Sequence, residues 1–560
     1  MSDKQLSVNE GIKSRSNFLR GTIQQGIDDP LTGSISEDDG QLTKFHGFYQ
    51  QDDRDLRQER KSEKLEPLYS FMLRARVPGG VCSTDQWLMI DEIAQHLTRG
   101  NIRLTTRQTF QFHGILKRNL KNVIQKLHQK LLDSIAACGD VNRNVMCNPN
   151  PVASQLHQQV YQLATQLSEH FMPHSRAYAE IFLNEEPLNK PDEEPLYGPT
   201  YLPRKFKIAV AVPPHNDVDV YTNDLGFIAI IENDQIIGYN VAAGGGMGST
   251  HGDKNTYPRL ADTLGFIQVD DAIQVAEAIF TTQRDFGDRQ NRKHARLKYT
   301  IDTMGLDVFK VEVEKRAGLT FAPAKEIHWT TRGDRFGWEQ GFDGRWHLTC
   351  YLPNGRIADT EQGQLLTGLR EIAKVHTGDF RMTANQNLII ASVDENEKVS
   401  IEQLARDYGL LRDDLTWLRK LSIACVAFPT CGLAMAESER YIPELITKVD
   451  ALLHKNGLAN HPIVMRMTGC PNGCARPFAA EIGFVGKGPG RYNLYLGASP
   501  VGTRLNKLYR ENIPEETILA ELDELFSRYA GERETDEAFG DFVVRVGIVA
   551  AVNEGKAFHD

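Results

Sequence analysis

Cysteine is scarce in this chain, with eight residues in 560. That density is far below a disulfide-built scaffold, so cysteines standing close together point to metal binding or catalysis rather than to structural bridges. Long apolar runs are missing as well. No stretch reaches the length needed to cross a bilayer, and the opening MSDKQLSVNEGIKSRSNFLRG has neither the apolar centre of a signal peptide nor the Arg-rich, acid-poor character of a transit sequence. A cytoplasmic protein with no membrane partner is expected. Positive charge is not in excess either. The 64 Lys and Arg against 74 Asp and Glu give a net charge of -10, which argues against nonspecific binding of nucleic acid or anionic membranes. An anionic ligand must be held by a local concentration of cations.

What the chain does contain is itself, twice. GNIRLTTRQTFQFHGI at Gly100–Ile115 aligns without a gap on GDFRMTANQNLIIASV at Gly378–Val393. Upstream, ARVPGGV at Ala75–Val81 resembles CYLPNGRI at Cys350–Ile357. Farther on, DLGFIA from Asp224 resembles EIGFVG from Glu481, and GYNVAAGG from Gly238 resembles RYNLYLGA from Arg491. Matches in the same order at comparable spacing read as two copies of a two-part unit.

Local patterns place these pieces. Ser83 and Gln86 have capping-box spacing, and Trp87, Ile90, Ile93 and Leu97 recur at helical intervals. IRLTTRQTFQFHG alternates around a polar break at Thr106–Thr109, which suits paired strands presenting Arg103, Thr105, Arg107, Gln111 and His113 on one side. Val123, Leu127 and Leu131 mark a further helix, and Pro443 and Gly457 suit the start and stop of another. An α+β architecture with sheets covered by helices is expected.

Four of the cysteines form two close pairs, CVAFPTC at Cys425–Cys431 and, 38 residues on, CPNGC at Cys470–Cys474. Structural zinc favours CxxC knuckles, which neither pair has. An iron-sulfur cluster fits better, since its thiolates come from loops of freer spacing and the Pro and Gly of CPNGC suit a tight wrap. Cys82, Cys138, Cys147 and Cys350 stand alone and read as buried apolar residues.

The paired cysteines, with TGCPNGC as the second half of the pattern, resemble the signature of the siroheme sulfite and nitrite reductases. The likeness covers nearly the whole chain, through LRARVPGG, RLTTRQTFQFHG, VNRNVMCNPNP, YLPRKFK and TANQNL, and FHGFYQQDDRDLRQER is similar to the NADPH-dependent assimilatory branch. The resemblance implies an internally duplicated, pseudo-twofold assembly of two ferredoxin-like half-domains and two larger α/β domains. Its expected divisions are 1-62, a partner-contact segment; 63-136 and 336-405, the ferredoxin-like halves; 137-335, the substrate and siroheme side; and 406-560, the 4Fe-4S and siroheme side.

The resemblance also implies roles. Cys425, Cys431, Cys470 and Cys474 would hold a 4Fe-4S cluster, with Cys474 also the axial ligand of the siroheme iron. Arg74, Arg143, Lys205 and Lys207 would surround sulfite, where fixed cations stabilise an anion and supply protons. Lys205 and Lys207 flank Phe206, so on an extended strand both ammonium groups face one side. Arg103, Thr105, Arg107, Gln111, His113, Arg204, Gln386, Asn387 and Asn472 would line the siroheme pocket. Gly432 stands where close relatives are expected to carry proline, a loop position that removes no ligand. The GGGMG run at Gly244–Gly248 lacks the spacing of a dinucleotide loop, so electrons are expected from an NADPH-dependent flavoprotein partner. The expected activity is six-electron reduction of sulfite. The alternatives are a siroheme nitrite reductase, a ferredoxin-dependent sulfite reductase, or a non-catalytic iron-sulfur carrier.

Overall fold

In the computed structural model, which describes residues 5–187 and 192–560, the matched segments around Pro78 and Pro353 are where the two halves of the chain exchange strands. One antiparallel sheet has the order Phe48–Asp52, Tyr69–Arg74, Phe110–Ile115, Ile102–Leu104, and then Arg356–Ile357 from the second half. The other runs Gly337–Gln340, Trp346–Cys350, Leu388–Val393, Asp379–Met382, and then Val81–Ser83 from the first half. Each exchange passes through a short 3-10 turn, Pro78–Gly80 or Pro353–Gly355. A Cβ on Gly80 would meet Met382 O at 2.6 Å, and one on Gly355 would meet Leu104 O at 2.4 Å. Glycine, left-handed at both places, lets each crossing lie against the other half's strand.

Helices cover these sheets. The helix Thr84–Leu97 starts with the expected Ser83–Gln86 capping box. Its buried Trp87 packs on Phe110 of one sheet and Phe380 of the other, ring centroids 5.7 and 4.6 Å apart. Such contacts add about 0.5–1.5 kcal/mol each beyond area burial, and here they tie the two halves into one core. The helix Leu120–Gln129 buries Val123 and Leu127, but Leu131 lies beyond its end. That residue is left-handed and 91 % exposed, because the chain reverses there toward Leu132 and Ile135 in the core.

The larger units repeat as well. In the first, Ile208–Ala211 runs parallel to Leu225–Glu232, followed by antiparallel Gln235–Ala243 and Asp262–Gln268. In the second, Ile423–Ala424, Met465–Thr468 and Ile482–Gly488 are parallel, followed by antiparallel Arg491–Leu496 and Lys507–Ile513. Ile208 faces Leu225 as Met465 faces Ile482. Asp217 and Asp219 therefore occupy the places of Cys474 and Arg476.

Residues 1–62 were expected as a partner-contact segment. Residues 1–4 lie outside the described residues, and much of the remainder is built into the first half. Ile12, Leu19, Ile23, Ile35, Leu42 and Phe45 join the main core, and Phe48–Asp52 is an edge strand. Only the helix Arg57–Ser62 buries nothing. Among the described residues, no helix is long and apolar enough to cross a membrane.

Candidate active site

Strand register creates a polar row on one sheet. Arg74 lies opposite Gln111, Gln111 opposite Arg103, and Arg103 opposite Arg356. Arg74 Nη2 donates to Gln111 Oε1 at 2.8 Å, and the Gln111 amide lies 2.6 Å from His113 Nε2. His113 Nδ1 is 3.2 Å from Gln51 Oε1 and 3.3 Å from Thr430 Oγ1. Burial first, and then Arg356, Arg103 and Arg74, hold His113 well below the usual histidine range. It is neutral, accepting from Gln111 at one nitrogen and donating from the other. The corresponding row of the second sheet is Thr349, Ile389, Arg381 and Val81, so apolar residues replace Gln111 and Arg356 there and the continuous polar row belongs to the first copy.

The loop Thr105–Thr109 projects from that sheet. Thr105 Oγ1 accepts from Arg107 N at 3.1 Å, and Arg107 reaches Asn223 Oδ1 at 2.5 Å and Ile208 O at 3.0 Å. Burial, and then the charge of Arg476, lowers Arg107 to about 9. Beside it, Arg143 donates to Gly139 O at 2.7 Å. Lys205 and Lys207 flank buried Phe206 in extended chain just ahead of Ile208–Ala211, as the alternation predicts. Lys205 is pushed down to about 7 by burial and then by Arg204, Arg296 and Arg143. Lys207 is held well below the lysine range by burial and then by Lys205 and Arg107.

Carboxylates pair with the neighbours instead. Arg204 and Arg292 take Asp140 at 3.8 and 2.8 Å, and Arg296 takes Asp224 at 2.8 Å. Among the described residues, Arg74, Arg107, Arg143, Lys205 and Lys207 form no ion pair, and the buried Nε atoms of Arg74 and Arg107 have no hydrogen-bond partner. Two like charges about 6 Å apart repel by roughly 3 kcal/mol at an effective dielectric of 20. Five basic groups without a carboxylate partner are therefore suited to a polyanion, whose charge would favour the protonated form of Lys205 and Lys207.

The cysteines come together at the neighbouring edge. Cys425 follows Ile423–Ala424 and Cys470 follows Met465–Thr468; these strands are parallel, so both loops leave the same end of the sheet. Gly469 N donates to Cys425 Sγ at 3.3 Å and Asn472 Nδ2 to Cys470 Sγ at 3.4 Å. Burial first, and then the nearby charge of Cys474, raises Cys425 to about 12 and Cys431 and Cys470 to about 11. Among the described residues, no three His, Cys, Asp or Glu side chains close on a single-ion site; a cluster of several irons takes thiolates set farther apart than one ion does. Soft donors with N–H groups aimed at sulfur fit a 4Fe-4S cluster, and the unpaired cations beside them fit a carboxylate-bearing siroheme. The four isolated cysteines are buried.

Not every expected residue meets the others. Arg103 is spent on Glu439 at 2.7 Å and Ala424 O at 2.8 Å, and Arg356 takes the same carboxylate at 2.6 Å. Because Glu439 N donates to Cys425 O at 3.1 Å, this triad braces the first cysteine loop. Asn387 is held between Asp334, 2.7 Å, and Leu352 N, 3.0 Å. Gln386 accepts from Ala424 N at 3.3 Å and leaves its buried Nε2 unpartnered. Asn472 and Arg204 are half-buried at the rim. The GGGMG run braces CPNGC, with Ser249 N donating to Pro471 O at 2.9 Å while buried Lys298 donates to Gly248 O at 2.7 Å.

Several functional partners were not anticipated. Arg54 donates to Cys431 O at 2.9 Å and Ala434 O at 2.7 Å and stacks 4.4 Å from the Phe428 ring. Glu439, Asn144, Asp219 and Arg476 likewise tie the cysteine and arginine loops. Only Arg476, next but one to Cys474, offered a local signal.

Known proteins share this sequence and this architecture. The family model for the nitrite/sulfite reductase ferredoxin-like half domain matches residues 64–130 and 339–408, and that for the nitrite and sulphite reductase 4Fe-4S domain matches residues 162–321. The latter stretch contains no cysteine; it is the copy that lacks the thiols. Among solved structures, the NirA protein of Mycobacterium tuberculosis shares the fold over 97 % of both chains, with a TM-score of 0.79 at 22 % identity. The proteins of Shewanella putrefaciens and Shewanella oneidensis named sulfite reductase (NADPH) hemoprotein beta-component are each 64 % identical over the full length of both chains. The chain belongs to the sulfite reductase (NADPH) hemoprotein beta-component family of nitrite and sulfite reductases.

Proposed function

We propose that this chain reduces sulfite to sulfide by six electrons, in sulfate assimilation and cysteine biosynthesis; Cys425, Cys431, Cys470 and Cys474 would hold a 4Fe-4S cluster, and Cys474 would also hold siroheme. The observation that carries the reading is the set of cations without carboxylate partners, two of which, Arg74 and Lys205, lie within electrostatic reach of Cys474. When bound, the two groups supply electron storage and a metal centre open to a sulfur ligand. The protein supplies the rest. Arg74, Arg143, Lys205 and Lys207 hold the dianion and its developing charge by fixed positive groups. Each departing oxygen leaves as water and consumes two protons, and Lys205, pushed down to about 7, would pass one on.

In this reading Thr105, Arg107, Gln111, His113, Arg204, Gln386 and Asn472 face siroheme, whereas Arg103 and Asn387 support it through Glu439 and Asp334. The divisions 63-136, 137-335, 336-405 and 406-560 follow the two copies, with residues 1–62 joined to the first. The partner is an NADPH-dependent flavoprotein, met at the exposed helix Arg57–Ser62 and the cysteine edge, in the cytoplasm. The test is the absorption spectrum of the purified chain together with sulfide release driven by reduced methyl viologen. Siroheme bands with stoichiometric sulfide are expected; a cluster shoulder alone, without turnover, overturns the reading in favour of an electron carrier.

A further inference from the structure

Asp219 and Arg476 hold corresponding positions in the two larger units, and the fold brings them into contact. Each has left-handed backbone, φ 49° and 54°, and each precedes a 3-10 turn, Val220–Thr222 or Pro477–Ala479. Arg476 Nε donates to Asp219 Oδ2 where the two copies meet, and both residues are buried. The same carboxylate also takes Arg332 at 2.6 Å and Arg466 at 2.7 Å. Burial works against the charge of Asp219, but the three guanidinium groups outweigh it. Breaking such a buried network by removing one member is strongly destabilising, because it strands the remaining charges.

Arg476 spends its other nitrogens on the loops of both ferredoxin-like halves. Nη1 donates to Thr106 O at 3.2 Å, and Nη2 to Ala384 O at 2.9 Å and Asn385 Oδ1 at 3.2 Å. Thr106 in turn donates from Oγ1 to Cys474 O at 3.0 Å. Cys474, two residues before Arg476, is thus laced to the Thr105–Thr109 loop by bonds running in both directions. That loop carries Arg107, which reaches the strand beside Lys207 through Ile208 O. A planar guanidinium can make all these contacts at once, whereas an ammonium is a single point.

We propose that Arg476, anchored by Asp219, is a positioning residue that sets the direction of the Cys474 thiolate relative to the Thr105–Arg107 loop. This rests on Cys474 being the thiolate shared by siroheme and cluster. Its consequence is that loosening the lacing changes the electronic signature of the joined groups and slows turnover, without weakening sulfite binding. Misplacement by about 1 Å can cost roughly 100-fold in rate.

The test compares the loaded wild type with Arg476→Lys, Thr106→Val and Arg370→Lys. Arg370 pairs with Asp91 at 2.6 Å and joins the two halves without touching a cysteine loop, so its variant reports general loosening. Arg476→Lys and Thr106→Val should shift the siroheme absorption bands and the electron paramagnetic resonance of the centre. They should lower kcat with reduced methyl viologen roughly 10- to 100-fold and leave KM for sulfite within about twofold. Arg370→Lys should keep the wild-type spectrum. Wild-type spectra and kcat in either loaded variant, or the same shift in Arg370→Lys, overturn the proposal. If Arg476→Lys does not fold, Thr106→Val decides alone. A wild type purified without siroheme would instead sink the underlying assignment of Cys474.

Discussion

A single cation beside a bound dianion is worth far more than one on the surface, because an opposite pair about 4 Å apart gains roughly 4 kcal/mol at an effective dielectric of 20 before desolvation is subtracted. Arg143→Ala and Lys205→Ala should therefore keep the siroheme spectrum and lose about 100-fold or more in kcat/KM for sulfite, with nitrite, a monoanion, hurt less. Steady-state kinetics on both substrates check this, and wild-type sulfite kinetics in both variants would remove these residues from the site. A second residue, Asp217, makes a pH prediction. It lines a cavity with Asp334, Arg335 and His215, and burial and then Asp334 raise it to about 7. The folded state holds this proton more tightly than the unfolded chain does. The contribution to stability is full below about pH 4 and is lost as pH rises through about 7. Asp217→Asn should flatten that part of the stability profile and gain stability over wild type at pH 8, as measured by urea unfolding at pH 5 and 8.

At the scale of elements, the crossings at Gly80 and Gly355 make the strand exchange possible. Alanine at either place would combine a left-handed backbone with a Cβ 2.6 or 2.4 Å from a carbonyl oxygen. Gly80→Ala and Gly355→Ala should each cost about 2 kcal/mol or more, seen as a lower denaturation midpoint. Gly355→Ala should also reduce siroheme content, because its clash falls on Leu104, next to the Thr105 loop. The N-terminal segment behaves as part of an element too. Deleting residues 1–60 removes the strand Phe48–Asp52 and six core side chains, so turnover with NADPH and with methyl viologen should vanish together. Charge reversals confined to the exposed helix Arg57–Ser62 should impair the NADPH-driven reaction alone. Survival of artificial turnover in the deletion would show that this segment is dispensable to the fold.

Over the whole molecule, two equal scaffolds carry unequal chemistry. Gln108 Oε1 accepts from Cys147 N as Gln386 Oε1 accepts from Ala424 N, so Asn148 stands where the second copy has Cys425, just as Asp217 stands where it has Cys474. Asn148 Nδ2 donates to Asp217 Oδ2 at 2.7 Å. In one copy these positions close on each other with a hydrogen bond; in the other both are thiols, near enough for the charge of Cys474 to act on Cys425. Cys474→Ser should lose or uncouple both groups, since an alcohol is a poor ligand for soft iron, whereas Asp217→Asn and Cys350→Ser should leave the visible spectrum unchanged. Equal spectra for wild type and Cys474→Ser would remove the shared thiolate.

The duplication and the paired thiols were legible in the sequence because they lie in short segments whose residue types announce their chemistry, whereas the roles expected of Arg74, Arg143, Lys205 and Lys207 came only from the family resemblance. The capping box at Ser83 and the helix boundaries at Pro443 and Gly457 are likewise set by local backbone preferences. The strand exchange was not legible, since PGGV and PNGR read as ordinary turns until the opposite strand is present to pair with them. Nor was the difference between residues facing the pocket and residues bracing it. Arg103 and Arg107 share one motif, yet Glu439, 336 positions from Arg103, claims the first and leaves the second unpaired. The meeting of Asp219 and Arg476 belongs to the tertiary structure entirely, because only folding two distant copies against each other brings opposite charges from matching positions into one buried pair.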